Sequence, residues 1–293
     1  MNGTSSAGDE ATDANGTPAD ANGTPAGGRA TGVGVPAGID PSRPSAARIY
    51  DYFLGGKDNF EADRAVAEHL LKLDPRTVEA VRENRRFLVR AVRHLVEDAG
   101  IRQFLDIGTG LPTQDNVHQV AARYAPDARV VYVDNDPLVL AHARALLSGG
   151  GATIVQGDLR RPDEILANPD VREALDFSRP VAVLLVAVLH FVADDEDPRG
   201  AVATLRDAVP SGSRIVLTHG TADGPYARGE ESTEAYRKAD RSLTLRSLDE
   251  ISPFFDGLDP VPPGLTWVQR WWPERPYEDG DLRGMYAGIG VKR

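Results

Sequence analysis

At 293 residues, 41% of them hydrophobic, the chain suits one large domain with an appendage and holds enough apolar residues for a packed core. Its formal net charge of −11 argues against a broad phosphate-binding surface, hence against nucleic-acid substrates, and favours a small-molecule substrate. The absence of cysteine excludes disulfides, a thiolate nucleophile and a thiolate metal site; the longest apolar run, Val181–Leu189, is too short to span a bilayer, and no basic-then-apolar leader is seen, so a cytoplasmic protein is expected.

Residues 1–38 contain almost nothing to bury, and DANGTPA occurs twice in tandem at Asp13–Ala19 and Asp20–Ala26. This low-complexity tail is expected to be disordered. From Ile39 the composition changes, and residues 39–100 read as an N-terminal helical arm. Within it, Ala46–Leu54 is expected as a short helix ended by Gly55-Gly56, followed by helices over Ala62–Leu73 and Thr77–Ala99. Arg48, Tyr50, Lys57, Asp58 and Asn59 are more polar than a simple strap needs, which suits a lid. The third helix has a clean apolar stripe of Phe87, Leu88, Ala91, Val92, Leu95 and Val96. Its arginines, Arg82, Arg85, Arg86, Arg90 and Arg93, are read as a solvated face rather than a basic patch.

Residues 101–293 carry the main domain. Phe104–Ile107 is a short apolar strand that breaks on Gly108-Thr109-Gly110. A helix follows with Val117, Val120, Ala121 and Tyr124 on one face and Thr113 as its expected N-cap. Arg129–Asp134 is a second strand, and Asp136-Pro137 opens a helix that should bury Val139, Leu140, Ala143, Leu146 and Leu147 before Gly149-Gly150-Gly151 stops it. Ala152–Gln156 is a third strand, and Val181–Val188, continuously apolar, a central parallel one. Pro198–Val209 reads as a helix and Arg214–Thr218 as a fifth strand, so that alternating strands and helices from 103 to 219 call for a parallel sheet with right-handed crossovers. Residues 220–245 form a polar insert around an expected helix, Glu231–Arg241. Ser247–Phe255 is another helix, and strands near Thr266–Arg270 and Met285–Val291 should make an antiparallel pair at the sheet edge.

A lone Gly-x-Gly after a strand serves dehydrogenases, flavoproteins and methyltransferases alike. The dinucleotide fingerprint would place a third glycine at 113, where Thr stands, and Asp106 two residues before the first glycine is the habit of S-adenosylmethionine-binding loops. Asp134, at the end of the second strand, can accept both ribose hydroxyls of an adenosine; Asp158, after Gly157 at the end of the third, is placed for the adenine amine. Three acids at successive strand ends lie on the rim where ligands bind in open α/β sheets. His190 and His219, after strands four and five, are candidate general bases, while Tyr50, Tyr52, Asn59 and Tyr226 are candidates for the acceptor pocket. No spacing suggests a metal site.

ARIYDYFLGGKDNFEADR (47–64), ENRRFLVRAVRHL (83–95), FLDIGTGLPT (104–113), VVYVDNDPLVLAHARALL (130–147) and LHFVADDEDP (189–198) together resemble a family of Rossmann-like S-adenosylmethionine-dependent methyltransferases. This family is common in actinobacteria and long catalogued as a domain of unknown function. The resemblance runs from about residue 39 to the C-terminus, and DGLDPVPPGL (256–265) matches more weakly. It departs at Asn116-Val117-His118, where the family has Asn-Thr-His, which removes a hydroxyl near the pocket mouth. It implies a class I fold, a seven-stranded, mostly parallel sheet with an antiparallel edge strand and helices on both faces, and S-adenosylmethionine as cofactor. Asp106, Gly108, Thr109, Gly110, Asp134 and Asp158 would line the cofactor site, with Asn135 and Leu159 flanking the adenine. The implied activity is methyl transfer to a small-molecule O or N acceptor. Two alternatives are carried: a cofactor-binding sensor or regulatory subunit without catalysis and, less favoured, an NAD-dependent reductase.

Overall fold

Five parallel strands are laid down in chain order: β1 (Gln103–Ile107), β2 (Arg129–Asp134), β3 (Ala152–Gln156), β4 (Ala182–Val186) and β5 (Arg214–Gly220). The C-terminal part adds β6 (Leu258–Pro260), β7 (Thr266–Trp267) and β8 (Met285–Lys292). The sheet runs β3-β2-β1-β4-β5-β8-β6, with β7 pairing β8 off this path. β8 is antiparallel to β5, from Arg214 opposite Val291 to Gly220 opposite Met285. The expected class I arrangement is thus present, with one refinement: the antiparallel strand lies inside the path, and the three-residue β6 lies beyond it. The computed structural model describes residues 40–112, 115–146, 152–223, 231, 233–235, 243–273 and 284–293. Residues 36–293 form one compact unit.

Side chains alternate across the pleat, and both faces are dry. Leu105, Ile107, Val131, Val133, Val183, Leu185, Ile215 and Leu217 point to one face, where Ile165, Val171, Leu205 and Phe254 cover them. Phe104, Val130, Tyr132, Leu184 and Val216 point to the other. That second face is covered by α3 (Thr77–Glu97), through the expected stripe from Phe87 to Val96, and by α4 (Val117–Tyr124). The arm therefore supplies part of the core as well as α1 (Ala46–Phe53) and α2 (Glu61–Leu73). α5 (Pro137–Leu146) starts as expected, with Asp136 Oδ1 accepting the Leu138 N–H at 2.8 Å. α6 (Pro162–Ala167) and α7 (Pro169–Ala174) are six residues each, too short to show a period in the sequence, and α8 is Pro198–Ala208. Among the described residues no helix is long and apolar enough to cross a membrane.

Several expectations are corrected. α4 begins at Val117 with Asn116 in the cap position, its N–H donating to Gln119 Oε1 at 2.9 Å; Thr113, the expected cap, lies outside the described residues. Tyr124 does not share the buried face: it is 40% exposed, and the Arg93 guanidinium lies 5.5 Å from its ring centre. Val117 is 1% exposed and packs in the core, so the departure from Asn-Thr-His removes no hydroxyl from a pocket mouth. β4 stops at Val186 because Ala187 turns to a φ of 57°, where its N–H donates to Thr218 Oγ1 at 2.8 Å. The strand expected over Thr266–Arg270 ends at Trp267, and Val268–Arg270 is a 3-10 turn. The tail, Leu147, the three glycines after it, Tyr226 and most of the expected helix Glu231–Arg241 lie outside the described residues.

That 3-10 turn is tied down by the arginine helix. Arg90 Nε donates to the Trp271 carbonyl at 2.8 Å, and Trp271, fully buried, packs edge-on against Phe87 and donates its indole N–H to Ala287 O at 2.7 Å. Arg86 pairs with Glu79 at 2.8 Å and with Glu83, and Arg93 with Glu97 at 2.6 Å, as a solvated face should. Exposed pairs of this kind contribute little, whereas Arg90 serves buried carbonyls. Arg90→Met should therefore lower the unfolding free energy by about 1–2 kcal/mol in urea titrations, while Arg93→Met stays within about 0.5 kcal/mol of wild type.

Candidate active site

The turn after β1 is tied forward to β2 and back to β1. Gly108 N–H donates to Val133 O at 2.8 Å, and Thr109 Oγ1 to Asp106 O at 3.1 Å. Gly108 has φ +75°, and a Cβ there would sit 2.3 Å from Val188 Cγ2, so no other residue fits without moving β4's exit. Gly110 also has a positive φ, +67°, but a Cβ there would meet nothing within 4 Å. The turn is thus closed toward the protein at Gly108 and open on its outer side at Gly110, the shape of a backbone cradle for a ligand.

Asp134 holds this cradle. Its Oδ2 accepts the Gly110 N–H at 2.9 Å and its Oδ1 the Asp136 N–H at 2.9 Å, so one carboxylate fixes both the glycine turn and the entrance to α5. Asp106 is different. It is 7% exposed, and among the described residues its carboxylate accepts no hydrogen bond. Burial pushes it up to about 7; the Arg85 guanidinium opposes this and the charge of Asp134 adds to it. An acceptor buried at this depth without a donor is costly unless a ligand supplies one. Arg85 escaped the sequence reading, which treated it as one of five surface arginines; it donates to Asp115 O at 3.1 Å, just before α4.

Asp158 is already engaged. Its oxygens accept Arg160 N at 3.0 Å, Nε at 2.9 Å and Nη2 at 2.5 Å, and Asn135 Nδ2 at 3.4 Å. Burial alone would raise it, but these bonds outweigh burial and hold the carboxyl at about 2. Arg160 also bridges to Glu196 Oε1 at 2.9 Å, a tie between the ends of β3 and β4 that the sequence did not signal beyond the Asp-x-Arg spacing. Leu159, expected beside the adenine, is 5% exposed and packs in the core with Val155 and Ile165.

The arm roofs the outer side of the turn. Ala47 and Phe60 pack on Leu111, Leu138 and Val139, and Ser45 Oγ donates to Asp136 Oδ2 at 2.7 Å. Behind this contact Arg48 pairs with the fully buried Asp63 at 2.8 Å, and Asp63 also accepts the N–H groups of Ser45 and Phe60. Of the residues expected in the acceptor pocket, Tyr50 donates to Val81 O at 3.3 Å and accepts Asn84 Nδ2 at 2.9 Å. Asn59 donates to Asp51 Oδ2 at 2.9 Å and Gly56 O at 3.1 Å. Both spend their polar groups bracing the arm, and Tyr52 packs in the arm's own cluster.

The two histidines sit at the ends of β4 and β5 but differ. His219 is fully buried; its Nδ1 lies 2.6 Å from Gly220 O and its Nε2 2.9 Å from Arg246 Nη1. Since the carbonyl accepts and the guanidinium donates, both ring nitrogens are used, and burial lowers the group to about 4. His219 is a support for Arg246, which also donates to Leu189 O, Val192 O and Asp194, and it has no nitrogen left for a general base. His190 lies in the 3-10 turn Leu189–Phe191 and accepts the Gly220 N–H at 3.2 Å. Among the described residues no three His, Asp or Glu side chains come together as a metal site.

The family model described as S-adenosyl methyltransferase matches residues 34–293. A DUF574 family protein from Streptomyces avermitilis, known from its crystal structure, is 40% identical over 87% of this chain and 99% of its own, with a TM-score of 0.83. A protein from Thermobifida fusca, provisionally described as a methyltransferase, is 43% identical over 89% of this chain and 100% of its own, with a TM-score of 0.84. No curated protein matches.

Proposed function

Since the chain belongs to the S-adenosyl methyltransferase family and takes S-adenosylmethionine as its cofactor, we propose that it transfers the methyl group to an oxygen or nitrogen of a small-molecule acceptor at the rim above β4 and β5. The observation that carries the reading is the pair of buried carboxylates around an open glycine turn: Asp134 spanning Gly110 and Asp136, and Asp106, which accepts no hydrogen bond among the described residues. Asp134 would hold the ribose hydroxyls, and Asp106 the ammonium of the methionine part, whose donors meet its unfilled lone pairs. Gly108, Thr109 and Gly110 would let the backbone approach the nucleoside, and Asn135 and Asp158 would border the adenine. The cofactor supplies an already activated methyl group, so the protein's task is to place the acceptor in line and exclude water. The arm suits that task as a lid, since the Ser45–Asp136 bond and the Phe60 contacts join it to the cofactor turn.

Calorimetry on the full chain tests the reading. S-adenosylmethionine and S-adenosylhomocysteine should both bind and NAD should not. Binding of NAD alone, or of none of the three, would overturn it.

A further inference from the structure

Gly220, the last residue of β5, determines which ring nitrogen of each neighbouring histidine carries the proton. Its carbonyl accepts Nδ1–H of His219, and its N–H points to Nδ1 of His190 at 3.2 Å. An amide N–H only donates, so His190 Nδ1 must present its lone pair, and the proton of the neutral ring lies on Nε2. The ring is held in this pose by Phe191, 4.5 Å between centroids, and by His219 at 5.5 Å. Burial, the nearby His219 and the Arg246 guanidinium all keep it uncharged. The residue is 7% exposed, and among the described residues Nε2 takes part in no hydrogen bond. Its N–H thus has no acceptor among the described residues, at the C-terminal end of β4 three residues after the left-handed turn at Ala187.

A general base would need the opposite tautomer. We propose that His190 instead selects the acceptor, its Nε2–H donating to the nucleophilic oxygen of a carboxylate or an acidic phenol. This deepens the methyltransferase reading above and rests on it. An oxygen anion has lone pairs enough to accept this hydrogen bond and still attack, whereas an amine nitrogen has one and would lose it to the bond. The oxygen lone pair forms the new C–O bond as the C–S bond breaks, the bonding electrons stay on sulfur as a neutral thioether, and no proton needs removing because the oxygen enters ionised. The donor also favours that ionised form of a phenol.

The test uses the full chain, ¹⁵N-labelled and saturated with S-adenosylhomocysteine at pH 7, with long-range ¹H–¹⁵N spectra assigned through His190→Gln. His190 should show a protonated Nε2 and a bare Nδ1. Benzoate should shift the Nε2–H signal and benzylamine should not. His190→Phe should weaken benzoate binding about tenfold, and His190→Gln, which keeps a donor, should weaken it less. A proton on Nδ1, no response to benzoate, an equal response to benzylamine, or equal benzoate affinity in wild type and His190→Phe each overturns the proposal alone. Failure of wild type to bind S-adenosylhomocysteine overturns the methyltransferase reading and the proposal together.

Discussion

Asp106→Asn should stabilise the free protein above pH 7 and in the same variant weaken cofactor binding. Burial raises the carboxyl to about 7 in the fold, against 3.8 for an unperturbed group, with the Arg85 guanidinium opposing the shift and the charge of Asp134 adding to it. The sign follows from the direction. A raised value means that the folded state holds the proton more tightly, so the stability from this group is complete below about pH 4 and is lost as pH rises through about 7. The upper bound on that loss is about 4 kcal/mol between pH 3 and pH 9. An uncharged isostere removes the penalty but leaves an imperfectly satisfied amide, so a gain of about 1–3 kcal/mol is expected in urea titrations at pH 8.5, and almost none at pH 5. Affinity should move the other way. Loss of a charge-assisted bond to the methionine ammonium costs about 1.5–3 kcal/mol, or about 10- to 100-fold in Kd. Wild-type affinity should also rise between pH 6 and 8 as Asp106 ionises. A variant no more stable at pH 8.5, with cofactor affinity intact, would remove Asp106 from both roles.

Asp134→Ala should reduce S-adenosylmethionine affinity by about 100-fold. The loss of ribose hydrogen bonds alone accounts for about tenfold. The rest comes from the bonds to Gly110 and Asp136 N–H, which hold the turn and the start of α5 in one geometry before any ligand arrives. Without them the turn must be ordered on binding. Two readouts separate these contributions: calorimetry gives the affinity, and hydrogen exchange at Gly110 gives the opening of the turn. Asp134→Asn, which keeps one acceptor oxygen, should fall between the two. Unchanged affinity in Asp134→Ala would show that the ribose is held elsewhere.

The parts of the fold legible in the sequence are those set by local chemistry. β2 and β3 have the bounds that their β-branched runs predict, and α5 starts where Asp136-Pro137 places it. Asp134 is the last residue of β2, Asp106 the last but one of β1 and Asp158 the second after β3, and the C-terminal ends of these parallel strands share one rim. Short elements are where local reading failed: β6 has three residues and α6 and α7 six each, less than the period needed to recognise them.

By itself, then, the sequence of Gln103–Tyr124 and the strand ends after it pointed to the fold class and the cofactor. Only the tertiary structure decided the state of each charged group there. Arg85 comes to Asp106 from α3, Arg160 claims Asp158 and reaches Glu196, and Gly220 assigns the protons of two histidines that the sequence had treated alike. Periodicity and propensity report what a residue does for its own helix or strand. Protonation depends on burial and on partners tens of residues away, and those are settled only when the sheet brings its strand ends together.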